Sequence, residues 1–160
     1  MKLPTQELLT IDGVALGMTR ADVDAMLGIA TTNANPAWAR YFREPSDLGR
    51  LPLLVSFRPA WPQREVRQWE VDSLCGSVLR LGHLVLAQVG ESHQAVRARL
   101  GSPQSVLSSE PGYGCLVYDG CSVTYEELSG SVVEVSLRDY GRSLLEGRVA
   151  SSLRDGALAC

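Results

Sequence analysis

The sequence predicts an α+β fold built from two tandem copies of one unit, each a pair of short helices followed by an antiparallel sheet. Three observations lead there. A capped, glycine-bounded helix pattern occurs twice, 73 positions apart (Gly17 to Gly90). The stretches after each copy alternate apolar and polar residues with the period of two that a half-buried strand requires. With 160 residues, 45% of them hydrophobic, the chain has enough apolar side chain for one shared core.

The first copy reads Gly17-Met18-Thr19-Arg20-Ala21-Asp22-Val23-Asp24-Ala25-Met26-Leu27-Gly28. Thr19 suits an N-cap, and Asp22 three residues on completes a capping box beside the positive helix end. Val23, Met26 and Leu27 lie at i, i+3 and i+4, one stripe toward a core, and Gly28 can take the left-handed conformation that ends a helix. The second copy places Gly90, Ser92, Val96, Leu100 and Gly101 over Gly17, Thr19, Val23, Leu27 and Gly28. Upstream, Leu81, Leu84 and Val89 fall over Leu8, Ile11 and Leu16. An internal repeat decides architecture before any single element does.

In order, residues 5–16 read as a first helix or helical turn closed by Asp12-Gly13, and the capped helix covers 19–27. Residues 31–36 are polar and turn-rich. Trp38 to Phe42 reads as a strand, 45–50 as loop, and Leu53 to Phe57 as a strand. Pro59 and Pro62 bar its continuation because proline offers the ladder no N–H. Glu65 to Asp72 alternates and reads as another strand. In the second unit, Leu79 to Val89 reads as helical and the repeated helix runs from Ser92 to Leu100. A meander of strands follows at 116–118, 121–125 and 132–137. Asp119-Gly120 makes the first turn tight, which sets Tyr118 opposite Cys121 and sends Cys115 to the other face. The units are thus 1–78 and 79–140, with a tail or short terminal helix over 141–160.

Composition narrows the function. A net charge of −3 and a pI near 5.4 argue against nucleic acid as a partner. No stretch approaches the ~18 uninterrupted apolar residues of a membrane span. The N-terminal residues lack the apolar core of a secretory signal, so the expected compartment is the cytoplasm. The four cysteines fit no zinc spacing and read as structural thiols, and no metal or other cofactor is implied.

The wording Gly17-Met18-Thr19-Arg20, with Val23, Leu27 and Gly28, resembles the helix signature of the beta-lactamase inhibitor protein (BLIP) fold and of the outer-membrane assembly lipoproteins of the SmpA/OmlA type. The duplication and the length fit the inhibitor, over roughly residues 5–138. The resemblance implies one curved sheet shared by both units, helices on its convex side and a concave face that grips a protein. This chain departs from the pattern in lacking an export signal and a disulfide pair, and in reading Gly90-Glu91-Ser92-His93 in its second copy. A cytoplasmic protein of that shape resembles an immunity protein that neutralises a toxin.

Strand alternation assigns a covered and a bare face. Leu53, Val55, Phe57, Trp69, Val71, Val123, Tyr125, Val133, Val135 and Leu137 point inward under the helices. Ser56, Arg58, Gln68, Glu70, Asp72, Ser122, Thr124, Glu126, Glu134, Ser136 and Arg138 point outward. This outward face carries more carboxylates than arginines. It is either a solvated surface or a docking surface for a partner with a basic patch, such as a toxin or enzyme. Trp61, held between Pro59 and Pro62, is the best candidate anchor, ahead of Trp38, Tyr41, Tyr113 and Tyr118. The binding candidates are therefore Trp61, Arg58, Gln68, Glu70, Asp72, Glu126, Glu134 and Arg138.

No catalytic constellation emerges. His83 and His93 stand in no metal or triad spacing, and adjacent Glu126 and Glu127 point to opposite faces of a strand. The leading reading is a non-catalytic immunity protein or inhibitor, with oligomeric state left open. An envelope-assembly module whose signal has been removed is the first alternative. A thiol enzyme using Cys75 with a histidine is the second.

Overall fold

The computed structural model describes residues 8–28, 37–41, 52–59 and 65–138. In chain order the elements are β1 (Leu9–Ile11), β2 (Val14–Ala15), α1 (Arg20–Leu27), β3 (Trp38–Tyr41), β4 (Leu53–Arg58), a single 3-10 turn at Val66–Gln68, and β5 (Glu70–Gly76). Then come β6 (Val78–Leu81), β7 (Leu84–Gln88), α2 (His93–Leu100), β8 (Ser105–Glu110), β9 (Tyr113–Tyr118), β10 (Cys121–Glu126) and β11 (Val132–Arg138). Trp61, residues 31–36 and 45–50, and the terminal helix expected over 141–160 lie outside the described residues.

This is a mainly β architecture, and it overturns the α+β expectation of paired helices. The segments read as the first helix of each unit are β-hairpins. Asp12 and Gly13 both take positive φ, 52° and 87°. That is the mirror-image two-residue turn whose twist matches a hairpin, and it sets Ile11 opposite Val14. Thr10, Ile11 and Val14 are β-branched and favour strands over helices. In the second hairpin the leucine spacing is strand alternation: Leu79 and Leu81 are buried while Val78 and Arg80 are half-buried. The strand expected over Glu65 to Asp72 begins only at Glu70, because residues 66–68 form the 3-10 turn, and it runs on to Gly76.

The hairpins pair side by side through β1 and β6, giving a four-stranded sheet in the order β2-β1-β6-β7. The remaining strands form a seven-stranded sheet in the order β3-β4-β5-β11-β10-β9-β8. Its middle strand is β11, antiparallel to β5, and across that pair Cys75 faces Ser136.

The backbone bonds that tie each helix to its sheet repeat between the two halves. Gly17 N donates to Val71 O and Arg20 N to Trp69 O, while Val71 N returns to Met18 O. In the second half Gly90 N donates to Val132 O and His93 N to Gly130 O, while Val132 N returns to Glu91 O. Both helices end on glycines at φ 84°, with Gly28 N bonded to Asp24 O and Gly101 N to Arg97 O. Both penultimate strands shift register at the same place, between Ser56 and Phe57 in β4 and between Thr124 and Tyr125 in β10. Phe57 thereby matches Tyr125, and each carries its own helix's first residue: Arg20 lies 5.3 Å over the Phe57 ring, and His93 stacks on Tyr125 at 3.9 Å. Tyr41 and Tyr118 also correspond; the first hydroxyl donates to Asp24 and the second to Gly101 O. In these equivalences Cys75 corresponds to Ser136, its own cross-strand partner, so a local two-fold axis passes between them.

The expected register is not kept everywhere. It runs from Val14 over Ala87 down to the helix-ending glycines, and fails upstream because β7 has five residues where β2 has two. Ile11 accordingly ends β1, whereas Leu84 begins β7. Thr19 caps α1 with the expected box: its hydroxyl accepts from Asp22 N, and the Asp22 carboxylate accepts from Thr19 N. Met26, expected in the core stripe, is 51% exposed.

One face of the seven-stranded sheet is covered by the four-stranded sheet and both helices. Its core is Ala39, Tyr41, Leu53, Val55, Phe57, Val71, Leu74, Leu116, Val123, Val135 and Leu137, closed from above by Ile11, Val14, Val23, Leu79, Leu86 and Val96. Gly76 marks the tightest crossing of the two layers. A Cβ there would stand 2.5 Å from Asp12 Oδ2 and 2.6 Å from Ile11 Cγ2. The Asp12 carboxylate accepts from Ser77 N and Val78 N at 3.1 and 3.0 Å, which fastens the first hairpin to the junction between the halves. Among the described residues, no helix is long and apolar enough to cross a membrane.

Candidate protein-binding face

The face turned away from the covering layer carries the side chains that alternate with the core. One row crosses all seven strands as Arg40, Leu54, Cys75, Ser136, Ser122, Val117 and Ser105. Beside it run Trp38, Ser56 and Ser73 on one flank, and Leu107, Cys115 and Thr124 on the other. Trp38 is 39% exposed, Leu54 36% and Leu107 54%.

The expected binding residues are distributed unevenly over this face. Arg58 and Glu70 sit opposite one another at the ends of β4 and β5. Glu134 and Arg138 lie on β11, and Glu126 ends β10, where Ser129 Oγ donates to it. Gln68 is not on the sheet; it belongs to the 3-10 turn, and its Oε1 is buried with no hydrogen-bond partner among the described residues. Asp72 is the extra residue of the β5 bulge, with Oδ1 buried and likewise unpartnered among them. Val133 is the matching extra residue in β11 and is half-buried where the alternation expected it to be core. Trp61 lies outside the described residues.

Sequence reasoning missed Arg40, Leu54 and Leu107, and ranked Trp38 behind Trp61 as an anchor. The alternation of Trp38-Ala39-Arg40-Tyr41 held the signal for Arg40, since Ala39 and Tyr41 are the buried pair. Arg40 alters the charge of the face. Arg40, Arg58 and Arg138 stand against Glu70, Glu110, Glu126 and Glu134, a face of mixed sign with a small acidic excess.

The two halves of the face differ in relief although their backbones correspond. Positions occupied by Leu54, Arg40 and Trp38 in the first half are Ser122, Val117 and Cys115 in the second. The first half therefore stands proud and the second is hollow. The hollow measures about 370 Å³ and is lined by Leu107, Cys115, Val117, Ser122, Ser136 and Arg138, together with the Asp119-Gly120 turn. Small residues make its floor: Ser122 and Ser136 share a hydrogen bond of 2.5 Å, and Gly120, whose carbonyl accepts from Arg138 N, adds no side chain.

The thiols lie where the turn geometry requires. Tyr118 faces Cys121 and Cys115 faces Thr124, so Cys115 and Cys121 occupy opposite faces of the sheet. Cys75, Cys115 and Cys121 are free. Burial pushes Cys121 up to about 12 and Cys75 up to about 11, the latter assisted by the neighbouring Glu134. Thiols held protonated at neutral pH are poor nucleophiles. Among the described residues no group of histidine, cysteine and carboxylate side chains is placed to hold a metal ion.

Glu134 is itself raised by burial, which the hydrogen bond from Cys75 partly offsets. A carboxylate whose folded pKa lies above its unfolded value contributes most to stability while protonated, below about 4.5, and loses that contribution as pH rises through its folded pKa. Glu134→Gln is therefore expected to withstand more urea than the parent at pH 7, with the gap closing near pH 4. Urea midpoints at the two pH values measure it. Comparisons with protein-family models, with curated proteins and with solved structures each find no match.

Proposed function

We propose that this chain is a non-catalytic protein-binding module that docks a partner on the open face of its seven-stranded sheet. The observation that supports it most directly is that this face exposes Trp38 and Leu54 at its β3–β4 end and Leu107 at its β8 end, each by more than a third, with three arginines on the same face. Aromatic residues and arginine are enriched at the centres of protein interfaces. An immunity protein or inhibitor acting in the cytoplasm is the form the resemblance favours, its partner a toxin or enzyme whose active surface it occludes. The mixed charge suits a partner surface of mixed sign better than a uniformly basic one.

The test is co-expression with the product of the adjacent gene, followed by calorimetry on the purified pair. Leu54→Asp and Trp38→Asp are each expected to weaken binding by about 2 kcal/mol or more, some thirtyfold, with the circular dichroism spectrum unchanged. A partner that binds parent and both folded variants equally well overturns the reading.

A further inference from the structure

The hollow in the second half of the open face has a chemistry more specific than that of a general docking surface. Leu107 and Val117 supply apolar walls, and the Ser122 and Ser136 hydroxyls lie on its floor. Arg138 is exposed at its rim, and among the described residues its guanidinium makes no hydrogen bond or ion pair. The one carboxylate in the lining is Asp119, which has an interaction of its own. Glu134 lies four residues from Arg138 along β11, beside the Cys75 thiol. The volume, about 370 Å³, falls within the range of sites that enclose a small ligand or a large side chain.

The hollow owes its space to sequence as well as to fold. The corresponding positions in the first half carry Leu54 and Trp38, and no strand there matches β8, which supplies Leu107. A serine in place of leucine and a cysteine in place of tryptophan leave the space open, beside the Arg138 guanidinium.

We propose that this hollow is the anchor site of the docking face and takes an acidic, partly apolar segment of the partner protein. An aliphatic side chain would fill the space between Leu107 and Val117, and an adjoining carboxylate would meet the Arg138 guanidinium and the serine hydroxyls. Arginine and a carboxylate form the stronger, charge-assisted kind of hydrogen bond, and more so at a site partly withdrawn from water. This inference rests on the docking reading above and adds the partner chemistry to it.

The experiment uses the isolated full-length protein and a small probe, so its outcome does not depend on whether a partner has been found. Isotope-labelled protein is titrated with N-acetyl-leucine and, in parallel, with its uncharged amide, while backbone amide shifts are followed by NMR. The carboxylate is expected to bind with a dissociation constant of about a millimolar to several millimolar, as a ligand of that size allows. It should move the amides of Val117, Ser122, Ser136 and Arg138. The uncharged amide should bind at least about tenfold more weakly, and Arg138→Gln should abolish the difference. Saturable shifts that are equal for the two probes, that cluster elsewhere, or that survive Arg138→Gln overturn the proposal. So does the absence of saturable shifts up to about 20 mM, well above the affinity expected for such a probe. A lost partner with an intact probe site would count against docking alone.

Discussion

Asp12→Ala is expected to destabilise the protein by about 3–5 kcal/mol, seen as a lower urea midpoint at an unchanged slope. Two losses combine. The buried carboxylate accepts from the Ser77 and Val78 amides, and its removal leaves two donors at the junction of the halves unpaired. Asp12 also sits at φ 52°, where alanine is strained and asparagine is not. Asp12→Asn separates the two terms: it keeps the turn and one strong acceptor, and should cost less than half as much. Equal losses for the two variants would show that charge, rather than turn geometry and acceptor count, holds the junction.

Gly76→Ala is expected to cost about 3 kcal/mol by the same measurement. A methyl group there meets the Asp12 carboxylate and the Ile11 side chain at distances real Cβ atoms do not reach, and Leu53 Cδ1 at 3.0 Å. Relief requires the first hairpin to lift from the β5–β11 pair, and added atoms in a packed core typically cost 1–3 kcal/mol. Because Asp12 is among the atoms displaced, the Asp12→Ala and Gly76→Ala effects should add to less than their sum. Full additivity would mean that the two sites relax independently.

Both substitutions probe a crossing that no sequence pattern announces. The duplication was legible, and so were the capped helices, the Leu53 strand and the Tyr118–Cys121 turn, because each depends on residues near one another in the chain. The hairpins were misread because leucines spaced three and four apart satisfy a helical stripe as well as a short, twisted strand pair. Asp12-Gly13 and the β-branched neighbours held the deciding signal. The bulges displaced Asp72 and Val133 from their expected faces, since one extra residue shifts the alternation beyond it. The hollow lay beyond any local reading: it exists only where Leu107, Val117, Ser122, Ser136 and Arg138 converge from four strands.

The uneven relief of the open face has a consequence for how a guest is seated. A platform with true two-fold symmetry would accept the same guest in two opposite orientations at equal free energy. Here a ridge of Trp38 and Leu54 faces a recess of Ser122 and Cys115 across the axis, so reversing the guest sets its protrusions against the ridge. A penalty of only about 2 kcal/mol would favour one orientation some thirtyfold. Divergence between the copies thus turned a surface that can be entered from either end into one with a fixed polarity.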